Sequence, residues 1–442
     1  MKTIKLLAAI AATAMMSACS QEEILLPENN NTIHNEPPTR VSLAEALKRA
    51  DRMLEKIGDP STRSSTRTVK SVQFIGGSGT RAEDDAPMYY VVNYENEGGF
   101  AVLGADTRLD GVYAISDQGH LDMNDTTFNF GLNVFFRSLP PYKPYIPQDS
   151  IDKGIHEFQP IDEKTTDLSY QILPLLSPAV RKWSQHYPYS TFCPMDNWPE
   201  EWKNGHMIHP NIRFQSIVGC TAVAVGQIMS YYECPKTYGQ YTFDWSVMKA
   251  WLPVITSWEW PYYNPAPEGG VARLLRELGK EGNLKVDYHW NGSGADLGKH
   301  YKRTFKTFEY NEPGDFKTFS TEDLRKLIYN KKPVLVKGKN DKGEGHAWVV
   351  DGLYCDSWKH EGPLGTYYYG DGLFFHIVWG WGGSCNGYFK HGSGFTQVNF
   401  KYGEKDNDPT KEQWDNTIGT DNDWYENIKI YKLQFCGDFN PR

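Results

Sequence analysis

Apolar residues recur along this chain in two rhythms. In "VSLAEALKRADRMLEKIG", Leu43, Ala46, Leu47, Ala50, Met53 and Leu54 fall three or four apart, on one face of an amphipathic helix. Beyond a Ser/Thr/Arg-rich link the period shortens. "SVQFIGG", "PMYYVVNYEN", "GFAVLGAD" and "LDGVYAISDQG" are short apolar runs split by Gly, Asn and Asp, the pattern of strands in a small sheet. The prolines of "FFRSLPPYKPYIPQ" predict an extended linker. This helix-then-strands unit spans 41–150.

A second unit runs from 165 to 442. Its first half reads as helices: "TAVAVGQIMSYY", "GGVARLLRELGKEG" and "STEDLRKLIYNKK", the last capped by Ser320 or Thr321. Its second half reads as strands: "KPVLVKGK", "HAWVVDGLYC", "GLFFHIVWGW", "NGYFKHG" and "IKIYKLQF". Helices first and sheet second predict an α+β fold of two segregated subdomains, with the cleft between them as the natural active site.

The first residues are a targeting segment. "MKTIKLLAAIAATAMMSACSQEE" carries Lys2 and Lys5, then an apolar run too short to span a membrane as a mature helix. Small residues lead into Cys19, a pattern that resembles a bacterial lipoprotein signal, in which the cysteine becomes the lipidated first residue. Glu22 and Glu23 resemble the acidic tag of surface lipoproteins of the Bacteroidetes. The other reading is an ordinary secretory signal cut near Ala18. Both expect a signal over 1–18, a polar tether over 19–40 and export from the cytoplasm, with membrane attachment only through Cys19.

Composition narrows the picture further. The 442 residues suffice for two or three domains, and 27 Tyr with 14 Trp favour a globular chain with grooves. A net charge of -9 without a long basic run argues against a nucleic-acid partner. Beyond Cys19 the six cysteines, 193, 220, 234, 355, 385 and 436, form no CxxC pair and no zinc-like spacing.

Candidate chemistry centres on Cys220 in "SIVGCTAVAVGQIMSYYECP". A thiol at a helix N-terminus faces unpaired N–H groups and the positive end of the helix dipole, which lower its pKa. A buried, inert cysteine is the other reading. Its partner would be an imidazole brought in by the fold. His346 follows the flexible "NDKGEG" and opens the strand "HAWVVDG". His376, inside "LFFHIVWGW", reads as a core histidine with a satisfied ring, and His206 with His209 as a solvated loop. In "WGWGGSCNGYF", Trp379 and Trp381 would share one side of an extended segment.

Together, "GCTAVAVGQIMSYYECP", "GHAWVVDG" and "FHIVWGWGGSCNGYF" resemble, in order and spacing, the streptopain family of bacterial cysteine proteases, which has the papain-like fold. "LPLLSPAVRKWSQHYPYSTFCP" resembles the start of that family's mature enzyme, and "MYYVVNYENEGGFAVLGADTRLDGVYAISDQG" its inhibitory propeptide. The resemblance implies Cys220 as nucleophile and His346 as general base. It implies an oxyanion site made by the Cys220 N–H with Gln215 as candidate side-chain donor, and Trp379 packed against His346.

One departure is that Val378 stands where the family has an asparagine able to orient the histidine, so a backbone carbonyl, another side chain or Trp379 packing must do so here. A second is an insert, Ser357 to Gly372, expected as a hairpin near the cleft. The reading is an endopeptidase made as a zymogen, without metal or organic cofactor, acting on proteins or peptides and inhibited by its own pro-domain. Maturation is expected between 150 and 172. The resemblance further suggests a preference for a hydrophobic residue one position before the scissile residue. The rival is an inactive protease scaffold that binds peptides or glycans.

Overall fold

The computed structural model describes residues 40–57, 67–75, 88–109, 111–122, 165–196, 214–252, 270–318, 320–339, 345–362, 365–390, 431–437 and 439–442, with Leu132, Phe135 and Leu139 besides. The signal segment, Cys19, His206 and His209 lie outside the described residues.

Helix α1 (Leu43–Leu54) opens at Ser42, whose side chain accepts from the Glu45 N–H at 3.3 Å while Glu45 adds negative charge to the first turn. Its apolar face buries Ala46, Ala50, Met53 and Leu54. That face lies on an antiparallel meander of β1 (Val69–Ile75), β2 (Tyr89–Tyr94), β3 (Phe100–Gly104) and β4 (Val112–Ser116). β2, β3 and β4 fall within the short apolar runs that predicted them, and β1 begins two residues before its own.

The second unit supplies helices α2 (Pro178–Arg181), α3 (Cys220–Tyr232), α4 (Trp245–Ala250), α5 (Val271–Leu278), α6 (Leu297–Thr307) and α7 (Thr321–Tyr329). Every residue of α3 from Cys220 to Ser230 is buried, so it is a central helix packed all round rather than on one stripe. Gly226 permits this, because a Cβ there would sit 2.8 Å from the Leu275 side chain of α5. The helix ends at left-handed Glu233, whose N–H donates to the Met229 carbonyl, just before Pro235. At α7 the cap is Ser320, which accepts from the Asp323 N–H at 3.3 Å. Sequence reading did not single out α6, whose buried Leu297, Tyr301, Thr304 and Phe305 share one face of a helix otherwise rich in lysine and arginine.

Besides two separate pairs of two-residue strands, the strands of this unit that join the large sheet are β5 (Thr165–Asp167), β6 (Tyr170–Ile172), β7 (Lys317–Thr318), β8 (Val334–Lys339), β9 (Gly345–Gly362), β10 (Gly365–Val378), β11 (Gly387–Lys390) and β12 (Tyr431–Cys436). The fold class is α+β, as expected. The two units, however, share one sheet, ordered β1-β2-β3-β4-β11-β10-β9-β8-β12-β7, with β5 and β6 paired along β9. The join is β4 against β11, with Ala114, Ile115 and Ser116 opposite Phe389, Tyr388 and Gly387. An open edge strand is a liability, and here each unit covers the other's.

One face of the sheet, with Leu335, Ala347, Val349 and Val378, packs on α3 and its neighbours. The other face carries Trp348, Val350, Ile377, Trp379 and Phe389, together with Leu132, Phe135 and Leu139 of the first unit. Phe135 corrects the linker expectation. It is helical, fully buried, and edge-on to Phe389 at 5.0 Å, because an aromatic side chain next to an open apolar face is driven into it whatever the prolines beyond.

The insert forms the predicted hairpin but not in the predicted surroundings. Its Trp358 lies by the end of α1, with the Arg52 guanidinium of α1 5.9 Å from the ring centre and Nζ of Lys56, just past the helix, at 3.9 Å; Lys56 also pairs with Asp167 at 2.5 Å. An indole face attracts a cation, and this one anchors the first unit.

Candidate active site

Cys220 is the first residue of α3 and follows Gly219, whose φ of 88° turns the chain sharply into the helix. A Cβ at Gly219 would stand 2.8 Å from the Ser293 carbonyl oxygen, so only glycine fits. Across the sheet boundary, the Ala347 backbone N–H donates toward the Cys220 thiol, and Ala347 is the residue after His346. The fold therefore brings the two sequence-predicted stretches together.

His346 is 5 % exposed and sits among three indoles, with ring centres 5.9 Å from Trp348, 6.4 Å from Trp379 and 6.5 Å from Trp381. Its Nε2 lies 3.1 Å from the Trp379 carbonyl oxygen. A carbonyl only accepts, so the imidazole carries its proton on Nε2 and leaves Nδ1 as the acceptor. A backbone atom thus does what Val378 cannot. Val378 itself is fully buried on the helix-facing side, opposite Val349.

The Trp379 carbonyl is itself held. Asn386 Oδ1 accepts from the Trp379 N–H at 2.9 Å, and the indole N–H of Trp379 donates to the Cys385 carbonyl at 3.0 Å. Trp379 and Trp381 do not lie on one extended strand: Gly380, Gly382 and Gly383 have φ of 77°, 68° and 88°, so the segment is a turn. A Cβ at Gly380 would stand 3.1 Å from Val223 of α3.

Gln215 does not have a free amide: its Nε2 donates to the Cys193 carbonyl. The glutamine that sequence reasoning missed is Gln185. It is buried, its Nε2 has no hydrogen-bond partner among the described residues, and its carbonyl accepts from the Val218 N–H at 2.9 Å, two residues before Cys220. No spacing rule ties "WSQHYPYS" to Cys220; only the fold does.

Burial dominates the electrostatics. It pushes the Cys220 thiol up, against the smaller pull of the Ala347, Thr221 and Cys220 N–H groups. It lowers His346 to about 4, against the opposing bond to Trp379. The lowered thiol pKa expected from the helix terminus is thus overturned in the full chain, because desolvation of a charge outweighs a helix dipole. The first unit reaches the turn that follows Trp379. Gln118 bonds the Gly382 carbonyl at 3.4 Å, and the Cys385 N–H donates to the Gln118 carbonyl at 3.4 Å.

His376 is fully buried with both ring nitrogens bonded, as expected of a core histidine. Among the described residues, Cys193, Cys220, Cys234, Cys355 and Cys385 are free thiols.

Residues 183–389 match the Peptidase C10 family, and residues 38–140 match the Spi protease inhibitor family. The chain is 25% identical over 368 residues to the thiol protease/hemagglutinin PrtT of Porphyromonas gingivalis, covering 75% of this chain and 36% of that protein. It is 26% identical over 327 residues to streptopain of Streptococcus pyogenes serotype M1, covering 68% of this chain and 73% of that one. A solved structure of a Prevotella intermedia prointerpain A fragment aligns with a TM-score of 0.43 at 19% identity, over 75% of this chain and 95% of the fragment. The chain spans about a third of PrtT's length and about three-quarters of streptopain's. A peptidase match preceded by an inhibitor match favours an enzyme over an inactive scaffold. With the Cys220 helix and the His346 strand brought together, residues 183–389 are similar to the Peptidase C10 cysteine proteases and residues 38–140 to the Spi protease inhibitors, the order of a cysteine-protease zymogen.

Proposed function

We propose that Cys220 is the nucleophile and His346 the general base of this peptidase. The observation that carries the reading is the 3.1 Å contact of His346 Nε2 with the Trp379 carbonyl, which accepts the Nε2–H hydrogen bond and so leaves Nδ1 to take the thiol proton. The thiolate then attacks the peptide carbonyl carbon, and the imidazolium returns the proton to the leaving amine. Water cleaves the resulting thioester with the same imidazole as base. For the oxyanion we assign the Cys220 N–H and Gln185 Nε2, in place of Gln215, because a buried unpaired donor costs free energy that a developing negative charge recovers.

In this reading the unit over 41–150 inhibits the domain over 165–442 until the chain is cut between 150 and 172. Proteins or peptides with a hydrophobic residue one position before the scissile residue are the proposed substrates. The signal pattern around Cys19 supports export and lipid attachment there.

The test is processing. Cys220→Ser and His346→Ala should each leave the precursor uncut and peptides intact. Normal maturation of Cys220→Ser in a host without other proteases, with peptide cleavage retained, sinks the mechanism.

A further inference from the structure

Beside the thiol site, the protease half holds a second charged arrangement that the reaction does not use. His376 of β10 is fully buried. Its Nδ1 lies 2.6 Å from Asp351 Oδ1 of β9, and the other Asp351 oxygen accepts from the Leu176 N–H at 3.1 Å. The Tyr388 ring of β11 stands edge-on to the imidazole at 5.0 Å. The remaining nitrogen, Nε2, lies 2.9 Å from Asp117 Oδ2. Asp117 belongs to the first unit, one residue beyond the last β4–β11 pair. The same oxygen is 3.4 Å from an Arg181 nitrogen of α2.

Asp117 enters in fixed register, since its own N–H donates to the Asn386 carbonyl at 2.7 Å. All the donors belong to the protease half and the carboxylate to the first unit. Without Asp117, the imidazolium N–H stays buried with its charge matched only by Asp351, and Arg181 stays beside it. Leaving a buried charged donor unpaired is costly, so the place favours another carboxylate. About a third of the Asp117 side chain is exposed, so the place opens to solvent.

We propose that His376 and Arg181 form a carboxylate-recognition site of the protease domain, filled in the full chain by Asp117 and open to another acidic side chain laid along β11 once Asp117 is removed. The proposal rests on the zymogen reading for its biological use, but not for its existence.

The charges support the arrangement. Asp351 and Asp117 hold His376 up at about 9 against its burial, while His376, Arg181 and Arg67 hold Asp117 below the usual carboxylate range. The stability that charged His376 lends the folded full chain, through Asp351 and Asp117, is full below its ordinary 6.5 and is lost as pH rises through about 9. The Asp117 contribution is present above its ordinary 3.8 and is lost as pH falls through its lowered value. The Asp117–His376 pair is therefore fully charged in mild acid and weakens toward alkaline pH.

The test uses the full chain carrying Cys220→Ser, so that no self-cleavage intervenes. Adding Asp117→Ala should lower the unfolding temperature by a few degrees. Sodium formate should restore about half of that loss or more, and sodium chloride at equal ionic strength should not. Equal restoration by both salts, or by neither, overturns the site. If Asp117→Ala does not fold, Asp117→Asn decides by histidine NMR. His376 should lose about tenfold or more in proton affinity, about one pH unit, and an unchanged titration overturns the proposal. Neither readout involves cleavage. An inert peptidase with a formate response would refute the proposed mechanism and leave the site standing.

Discussion

His346 Nε2 and the Trp379 carbonyl oxygen stand 3.1 Å apart, so the imidazole is oriented by a backbone atom that Asn386 holds through the Trp379 N–H. Side-chain identity at position 378 is irrelevant to that bond. Val378 faces the helical core with Ala347 and Val349. Val378→Asn should therefore not raise turnover, although asparagine is the residue that the family carries beside this tryptophan. It should lower unfolding free energy by about 1–3 kcal/mol, the cost of burying an amide without partners. Denaturant melts and peptide hydrolysis read the two effects; a severalfold gain in kcat would overturn the backbone account.

The two glutamines separate cleanly. Gln185→Ala in the processed enzyme should cut kcat by about 10²–10³ with little change in KM, the range found when one oxyanion donor is removed. Gln215→Ala should leave kcat within a few-fold, since its amide serves the Cys193 carbonyl. Steady-state kinetics on one peptide substrate decide it, and the reverse ranking would restore Gln215 as the donor.

Reactivity of Cys220 should depend on the first unit. In the full chain burial raises the thiol pKa, so alkylation at neutral pH should be slower than for a free thiol and should rise only above about 8.5. If the first unit masks the thiol, as the zymogen reading requires, its removal should re-expose Cys220 to water and let His346 charge. The rate should then stay high well below 8.5. Mass spectrometry of the alkylated peptide gives both profiles. Identical profiles before and after removal would exclude masking by the first unit.

Attachment is checked at Cys19. Acyl label should travel with the wild-type protein and vanish in Cys19→Ala. Unlabelled wild type free in the medium would support an ordinary secretory signal.

Much of the architecture was legible in the chain itself. The three-to-four period of Leu43 to Leu54 set α1, short apolar runs broken by Gly, Asn and Asp set β1 to β4, and Gly219 before an apolar run placed Cys220 at the head of α3. These are local properties: side-chain spacing dictates which face of an element is buried, and a cap or breaker dictates where it ends. His346 opening a strand was legible for the same reason.

What decided the site was not local. That β4 would pair with β11 depended on two exposed edges finding each other, and strand edges carry no address in their side chains. Any residue supplies a carbonyl, so the Trp379 oxygen that orients His346 has no sequence signature. Gln185 and Gln215 look alike on paper, and only packing spends one amide and leaves the other. The Cys220 pKa turned on burial, which is a property of everything folded around the thiol rather than of the helix that bears it.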